Sequence, residues 1–170
     1  MAEAIDAAQD GETVKLLDST TCTENTDLTE VKSVTVDFAQ HTFTGDNKNI
    51  AIRSKAEGAG VLTLMNGTIT TGDGTYCTLG AANGSAIVVK DMILNNSTAF
   101  GGSVKAFPGG TIELRDSQLN SVKGGGVAAA GGTVNIYNSK IDQKEYYDWN
   151  SMIACLLYTS PSPRDRTRSR

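Results

Sequence analysis

The sequence predicts an all-β fold, a parallel β-helix (solenoid) of about six coils with a short N-terminal capping helix. Three observations predict it. An apolar–polar pattern recurs six times at spacings of 22 to 26 residues. No convincing 3.6-residue periodicity follows residue 11. Glycine is abundant, at 18 residues against 3 prolines, which fits short strands joined by tight turns.

The first element is the helix. Ala2 to Asp10 is rich in helix formers, and Gly11 is a suitable stop. Assigned to residues 1–12, this helix would cover strand edges and core left open at the first coil. The β-helix itself is assigned to residues 13–154. Its units start at Val14, Val36, Leu62, Ile87, Ile112 and Val134. In each, the first and third positions are apolar: Val14/Leu16, Val36/Phe38, Leu62/Leu64, Ile87/Val89, Ile112/Leu114 and Val134/Ile136. Such alternation places one strand face inward. The fifth position reads Asp18, Gln40, Asn66, Asp91, Asp116 and Asn138, and Asx residues tolerate the backbone of a sharp bend. An apolar eighth position follows (Phe43, Ile69, Leu94, Leu119, Ile141), then a polar column of Thr44, Thr70, Asn95, Asn120 and Asp142.

Each unit therefore holds two strands around an Asx corner. A third strand lies between units, at Ile50–Ile52, Cys77–Leu79, Val104–Ala106 and Val127–Ala129. Gly-containing turns such as Gly109-Gly110 and Gly131-Gly132 come after it. Three strands and three corners make one coil, and stacked coils bury a continuous core. A leucine-rich repeat has a similar period but would show its own Leu/Asn consensus, which is absent.

Residues 155–170 break this pattern. Cys155 to Asp165 reads C-L-L-Y-T-S-P-S-P-R-D, and a basic run ending at Arg170 follows. The string resembles the translation of a transposon-end sequencing adapter. That resemblance implies a non-native, disordered tail on a fragment whose true sequence ends near Ala154. Without the tail, 11 basic face 18 acidic residues, a net charge of −7. An acidic body repels phosphates, so no nucleic-acid partner is expected. No apolar run reaches the ~20 residues of a transmembrane helix, so no membrane insertion is expected. The start Met1-Ala2-Glu3 lacks the basic and apolar regions of a signal peptide, so an exported parent would carry its signal upstream.

Two stretches carry a family resemblance. Ala4 to Leu17 resembles the capping helix and first strand of bacterial surface β-helix proteins, and Val34 to Gly45 resembles their second coil. The resemblance covers residues 4 to about 142. It implies the pectin-lyase-like fold, a right-handed parallel β-helix, and a secreted or cell-surface location. It does not specify an activity, because this fold hosts lyases, hydrolases, adhesins and inert stalks.

Few residues carry chemistry. Asp46 and Asp73 follow Gly45 and Gly72 in successive coils. Stacking would bring them within ~5–10 Å at a strand spacing of ~4.8 Å. They are the candidate ligand- or cation-binding residues, against the plainer reading of turn aspartates. Glu113 and Arg115 read as a solvated face. His41 lacks metal or nucleophile partners nearby and reads as a corner residue. Cys22 and Cys77 read as buried small residues rather than a disulfide. Tyr146, Tyr147 and Trp149 could stack on sugar rings, but the plain reading is a loop packing on the next coil. Gly101-Gly102 and Gly124–Gly126 lack the Lys-Ser/Thr of a phosphate loop. Thr68, Thr70 and Thr71 resemble ice-binding threonine faces without a repeat in neighbouring coils.

No catalytic residue, cofactor or metal site is predicted. The expected function is a non-catalytic structural or adhesive segment whose partner is carbohydrate, such as a host or cell-surface glycan. The alternative is a fragment of a polysaccharide lyase or glycoside hydrolase. A phage tail-spike fragment is a third class.

Overall fold

A computed structural model describes residues 1–45, 50–72, 75–97, 102–122, 125–144 and 153–154. Cys155 to Arg170 and the aromatic group Tyr146, Tyr147 and Trp149 lie outside the described residues. The chain forms a parallel β-solenoid of about five turns. Elements are numbered in chain order. One sheet stacks β1 (Thr13–Lys15), β4 (Ser33–Asp37), β7 (Val61–Thr71), β9 (Ala86–Asn96), β11 (Thr111–Arg115) and β14 (Thr133–Tyr137). Five full turns join these six strands, which are the six predicted units. Beyond the Asx corner the same sheet continues through β2 (Thr20–Cys22), β5 (Thr42–Gly45), β12 (Gln118–Ser121) and β15 (Lys140–Gln143). The second sheet stacks β3 (Thr26–Leu28), β6 (Ile50–Ser54), β8 (Cys77–Ala81), β10 (Gly102–Ala106), β13 (Gly125–Ala129) and β16 (Ile153–Ala154). Every pairing between these strands is parallel. The apolar columns fill the interior: Leu62, Leu64, Ile87, Val89 and Ile112 are fully buried, with Leu79 and Val104 from the second sheet. Val14, Leu16, Val134 and Ile136 are only half-buried, and among the described residues β1 and β14 each have a strand neighbour on one side only.

The corner residues are as the Asx column requires. Gln40, Asn66, Asp91, Asp116 and Asn138 all have left-handed backbone, with φ between 45° and 69°. Asp18 is not among them. Side chains also link the corners of adjacent coils. Asn138 Nδ2 donates to Asp116 Oδ1 at 2.5 Å and Asn66 Nδ2 to Asp37 Oδ1 at 3.3 Å.

Register in the second coil differs from the sequence alignment. The structure pairs Val34 with Leu62 and Val36 with Leu64, not Val36 with Leu62. Thr42 still pairs with Thr68. The corner of this coil is therefore two residues longer, and Ala39 joins Gln40 in left-handed backbone. Phe38, displaced from the strand column, is fully buried and packs over Gly67. A Cβ at Gly67 would stand 2.3 Å from Phe38 Cβ and 2.7 Å from the His41 carbonyl oxygen.

The helix is α1, Ala2–Ala7, shorter than the helix-forming composition suggests. Ala8 is already extended, and the next coil takes up the residues after it. Gly11 N–H donates to Ser33 O, and Ser33 N–H donates to Asp10 Oδ1, both at 2.7 Å. Ile5 is wholly buried at the mouth of the core. Lys32, 8% exposed, donates from Nζ to the Asp6 carbonyl at 2.7 Å and pairs with Glu30 at 3.0 Å. A cation at the last turn of a helix satisfies a carbonyl that has no helical partner.

Two hydroxyls sit badly in this interior. Thr26 Oγ1 and Ser54 Oγ are buried without a hydrogen-bond partner among the described residues. Ser54 occupies a column otherwise made by Leu28, Ala81 and Ala106. Burying an unpaired hydroxyl costs about 1–3 kcal/mol. Thr26→Val and Ser54→Ala are expected to raise stability by roughly 1 kcal/mol each, read as a higher denaturant midpoint. Gly67→Ala is expected to lower it by about 2–3 kcal/mol through overpacking against Phe38. An unchanged midpoint in Gly67→Ala would contradict the placement of Phe38.

Candidate functional site

The polar column predicted after the eighth position runs along the outer face of the first sheet. Thr21, Thr44, Thr70, Asn95, Asn120 and Asp142 stand in register across β2, β5, β7, β9, β12 and β15. Their strand neighbours Phe43, Ile69, Leu94 and Leu119 are buried, so strict alternation turns this column outward. Asn120 Nδ2 donates to Asn95 Oδ1 at 2.8 Å, and Gln118 Nε2 donates to Asn120 Oδ1 at 2.7 Å. Lys140 Nζ lies 3.3 Å from Asp142 Oδ2. Beside the column runs a groove of about 490 Å³, lined among others by Thr70, Asn95, Gln118, Asn120, Asp142 and Lys144. One residue further along, the side chains turn inward. Thr71 Oγ1 lies 2.9 Å from Thr78 Oγ1, and Asn96 Nδ2 donates to Ser103 Oγ at 2.6 Å. This buried polar ladder ties the groove wall to the second sheet and holds it rigid.

The second sheet presents a different chemistry. Its outward column runs Asp27, Arg53, Gly80, Lys105 and Ala128. Asp27 holds Arg53 through Nε at 2.9 Å and Nη2 at 2.5 Å, and Lys55 at 2.9 Å. Burial pushes the Asp27 carboxyl up, but hydrogen bonds from Arg53 and Lys55 outweigh it, and the net shift is downward. Cys77 lies close to this group. Burial pushes its thiol up to about 12, against the pull of Lys105 and Arg53, so it is neutral and unreactive at neutral pH. Lys105 stands 4.7 Å from the centre of the Tyr76 ring and 5.3 Å from that of Phe107.

Of the residues singled out from sequence, Asp46 and Asp73 lie outside the described residues. Glu113 and Arg115 form an exposed ion pair on one strand, and Arg115 lies over the Tyr137 ring at 4.7 Å, as a solvated face requires. His41 sits at the second corner, where its backbone bonds to Phe38 and Thr68. Cys22 and Cys77 are both free; Cys77 is buried and Cys22 half-buried. The threonine pattern needs correction. Thr68 and Thr70 pair with Thr42 and Thr44, so the preceding coil does repeat them. The following coil places Ile93 and Asn95 there, and Thr71 is buried. Sequence reading missed the cationic column. Its members come from coils 25 or more residues apart, and only the register of the third strands aligns them. Among the described residues, no group of three His, Cys, Asp or Glu could hold a metal ion. No described helix is long and apolar enough to cross a membrane. Comparison with protein-family models, curated proteins and solved structures returns no match.

The Asp27 cluster makes a pH-dependent contribution. The folded carboxyl releases its proton more readily than the unfolded one, whose pKa is about 3.9. Its ionised form therefore stabilises the fold above that value, and the contribution is lost as pH falls through the lower folded pKa. Melting temperature measured from pH 7 to pH 2 is expected to fall less steeply on the acid side in Asp27→Asn. The variant is also expected to melt lower at pH 7. Parallel acid limbs in the two proteins would remove Asp27 from the account.

Proposed function

We propose that the chain is a non-catalytic segment of a secreted or cell-surface bacterial protein, with the right-handed, pectin-lyase-like form of the β-solenoid. It acts as a rigid stalk whose flat polar face adheres to carbohydrate. One observation carries this reading, the in-register column Thr44, Thr70, Asn95, Asn120 and Asp142 beside its groove. From Thr44 to Asn120 amides and hydroxyls repeat there once per coil, at the ~4.8 Å spacing of parallel strands, and Asp142 closes the column with a carboxylate that only accepts. Groups that both donate and accept suit the hydroxyls of a sugar chain, which do the same. A periodic surface offers an extended polymer several weak contacts at once, and weak contacts sum when they are held on one rigid body. The rigidity comes from the buried Thr71, Thr78, Asn96 and Ser103 ladder behind the face.

Binding of the purified chain to an array of neutral polysaccharides tests the reading. At least one extended glycan is expected to bind. The double variant Asn95→Ala, Asn120→Ala is expected to weaken it about tenfold, the equivalent of one or two net hydrogen bonds. Melting should shift little, since both side chains are part-exposed. Absence of binding to every glycan, or binding indifferent to the double variant, would sink the adhesive role of this face.

A further inference from the structure

The outward face of the second sheet holds a cavity of about 490 Å³, lined by Ile50, Arg53, Lys55, Tyr76 and Phe107 with residues of the neighbouring turns. That volume lies within the ~300–1,000 Å³ of small-molecule sites. Its construction begins at Gly80. In the register of the sheet Gly80 stands between Arg53 and Lys105. Ile50 and Phe107 converge on the space a side chain would take, each with an atom 3.1 to 3.2 Å from an added Cβ. The result is an apolar floor between two cations that lie two strand spacings apart, about 10 Å. Tyr76, 38% exposed, supplies an open ring beside it.

The charge is unbalanced. Arg53, Lys55 and Lys105 face a single carboxylate, Asp27, among the described residues of these strands, although the chain as a whole is at −4. Asp27 takes Nε and Nη2 of Arg53, which fixes the guanidinium and leaves its Nη1 edge to donate elsewhere. Lys105 is held by the Tyr76 hydroxyl and by the faces of two rings, with no acidic partner among the described residues. Fixed cations with unused donors beside aromatic faces suit a ligand that has both an anionic group and a ring with an apolar face.

We propose that this cavity binds an anionic saccharide unit, its acidic group against Arg53 and Lys55, the two cations that line it, and its ring against Tyr76 and Phe107. The shared chemistry is a negatively charged sugar; carboxylate and sulfate are two ways to supply it. The inference rests on the glycan reading for the choice of a sugar, but it concerns a separate face and separate residues. Pyranose C–H groups pack on aromatic rings through the same apolar contact that ring pairs use. The charge supplies selectivity over the neutral sugars assigned to the polar groove, and makes binding sensitive to salt.

The test is calorimetric titration of the full chain with three probes: a glucuronate-containing oligosaccharide, its carboxyl-reduced neutral counterpart, and a sulfated oligosaccharide. At least one acidic probe is expected to bind about tenfold more tightly than the neutral one, more weakly as salt rises. Lys55→Gln and Tyr76→Ala are each expected to weaken that binding about tenfold. The Asn95→Ala, Asn120→Ala double variant should leave it unchanged. Circular dichroism melts show whether each variant is folded, and the two substitutions act on different contacts, so loss of one variant leaves the other to decide. Equal affinity for acidic and neutral probes overturns the proposal. So does binding that survives both Lys55→Gln and Tyr76→Ala but falls with the double variant. That last outcome would leave the polar groove standing and remove only this cavity. Competition by inorganic sulfate at the same affinity as the saccharides would reduce the site to an anion site and remove the sugar.

Discussion

Most of this molecule depends on the residue in left-handed backbone at the first corner of each coil after the first. Asn66, Asp91, Asp116 and Asn138 hold that conformation one above another. Each bends its coil at the same point, so the strands on either side meet their neighbours in the same register. Only then do single side-chain types line up into columns. Apolar columns close the interior, an amide and hydroxyl column makes one outer face, and a column that holds Asp27, Arg53 and Lys105 makes another. Asparagine and aspartate adopt this backbone at lower cost than other residues with a Cβ, because their short polar side chains bond locally. Here they also bond between coils, as Asn138 does to Asp116. The corner therefore sets geometry and contributes stability at once.

A stack of this kind has to manage its ends. Interior coils are covered on both sides, and their first-sheet apolar residues are fully buried. At the N-terminal end the single turn-and-a-half of α1 lays Ile5 over the open core, and Lys32 fastens the helix through the Asp6 carbonyl. So short a helix has little stability of its own and depends on this docking. The buried lysine is tolerable because a carbonyl and Glu30 replace its water.

Much of this was legible in the chain. Apolar positions two apart and an Asx residue two further on are local signals, and they identified four of the six corners, at Asn66, Asp91, Asp116 and Asn138, and every apolar column of the later coils. What failed was register in the second coil. Val34, Val36 and Phe38 alternate without interruption, so the pattern alone admits a shift by two, which keeps the same residues inward. Packing of Phe38 over Gly67 decides between the two alignments, and that contact joins residues from different coils. The polar column was legible for the same reason as the apolar ones. The cavity of the second sheet was not. It needs Gly80 to be recognised as a gap between Arg53 and Lys105, and a gap has meaning only once its neighbours are known.

The long corner of the second coil also says something about how such chains can change. From Val36 to Leu64 the chain advances 28 residues, yet from Thr42 to Thr68 it advances 26. The difference is absorbed between the strands, and neither sheet records it. A coil is thus defined by closure on its neighbour and not by a count of residues. Insertions and deletions at this point are nearly silent to the interior, while a one-residue change within a strand would turn the later side chains of that strand to the opposite face. Mutation has, in effect, freedom of length at the corners between strands, and surfaces can diverge there over an unaltered core.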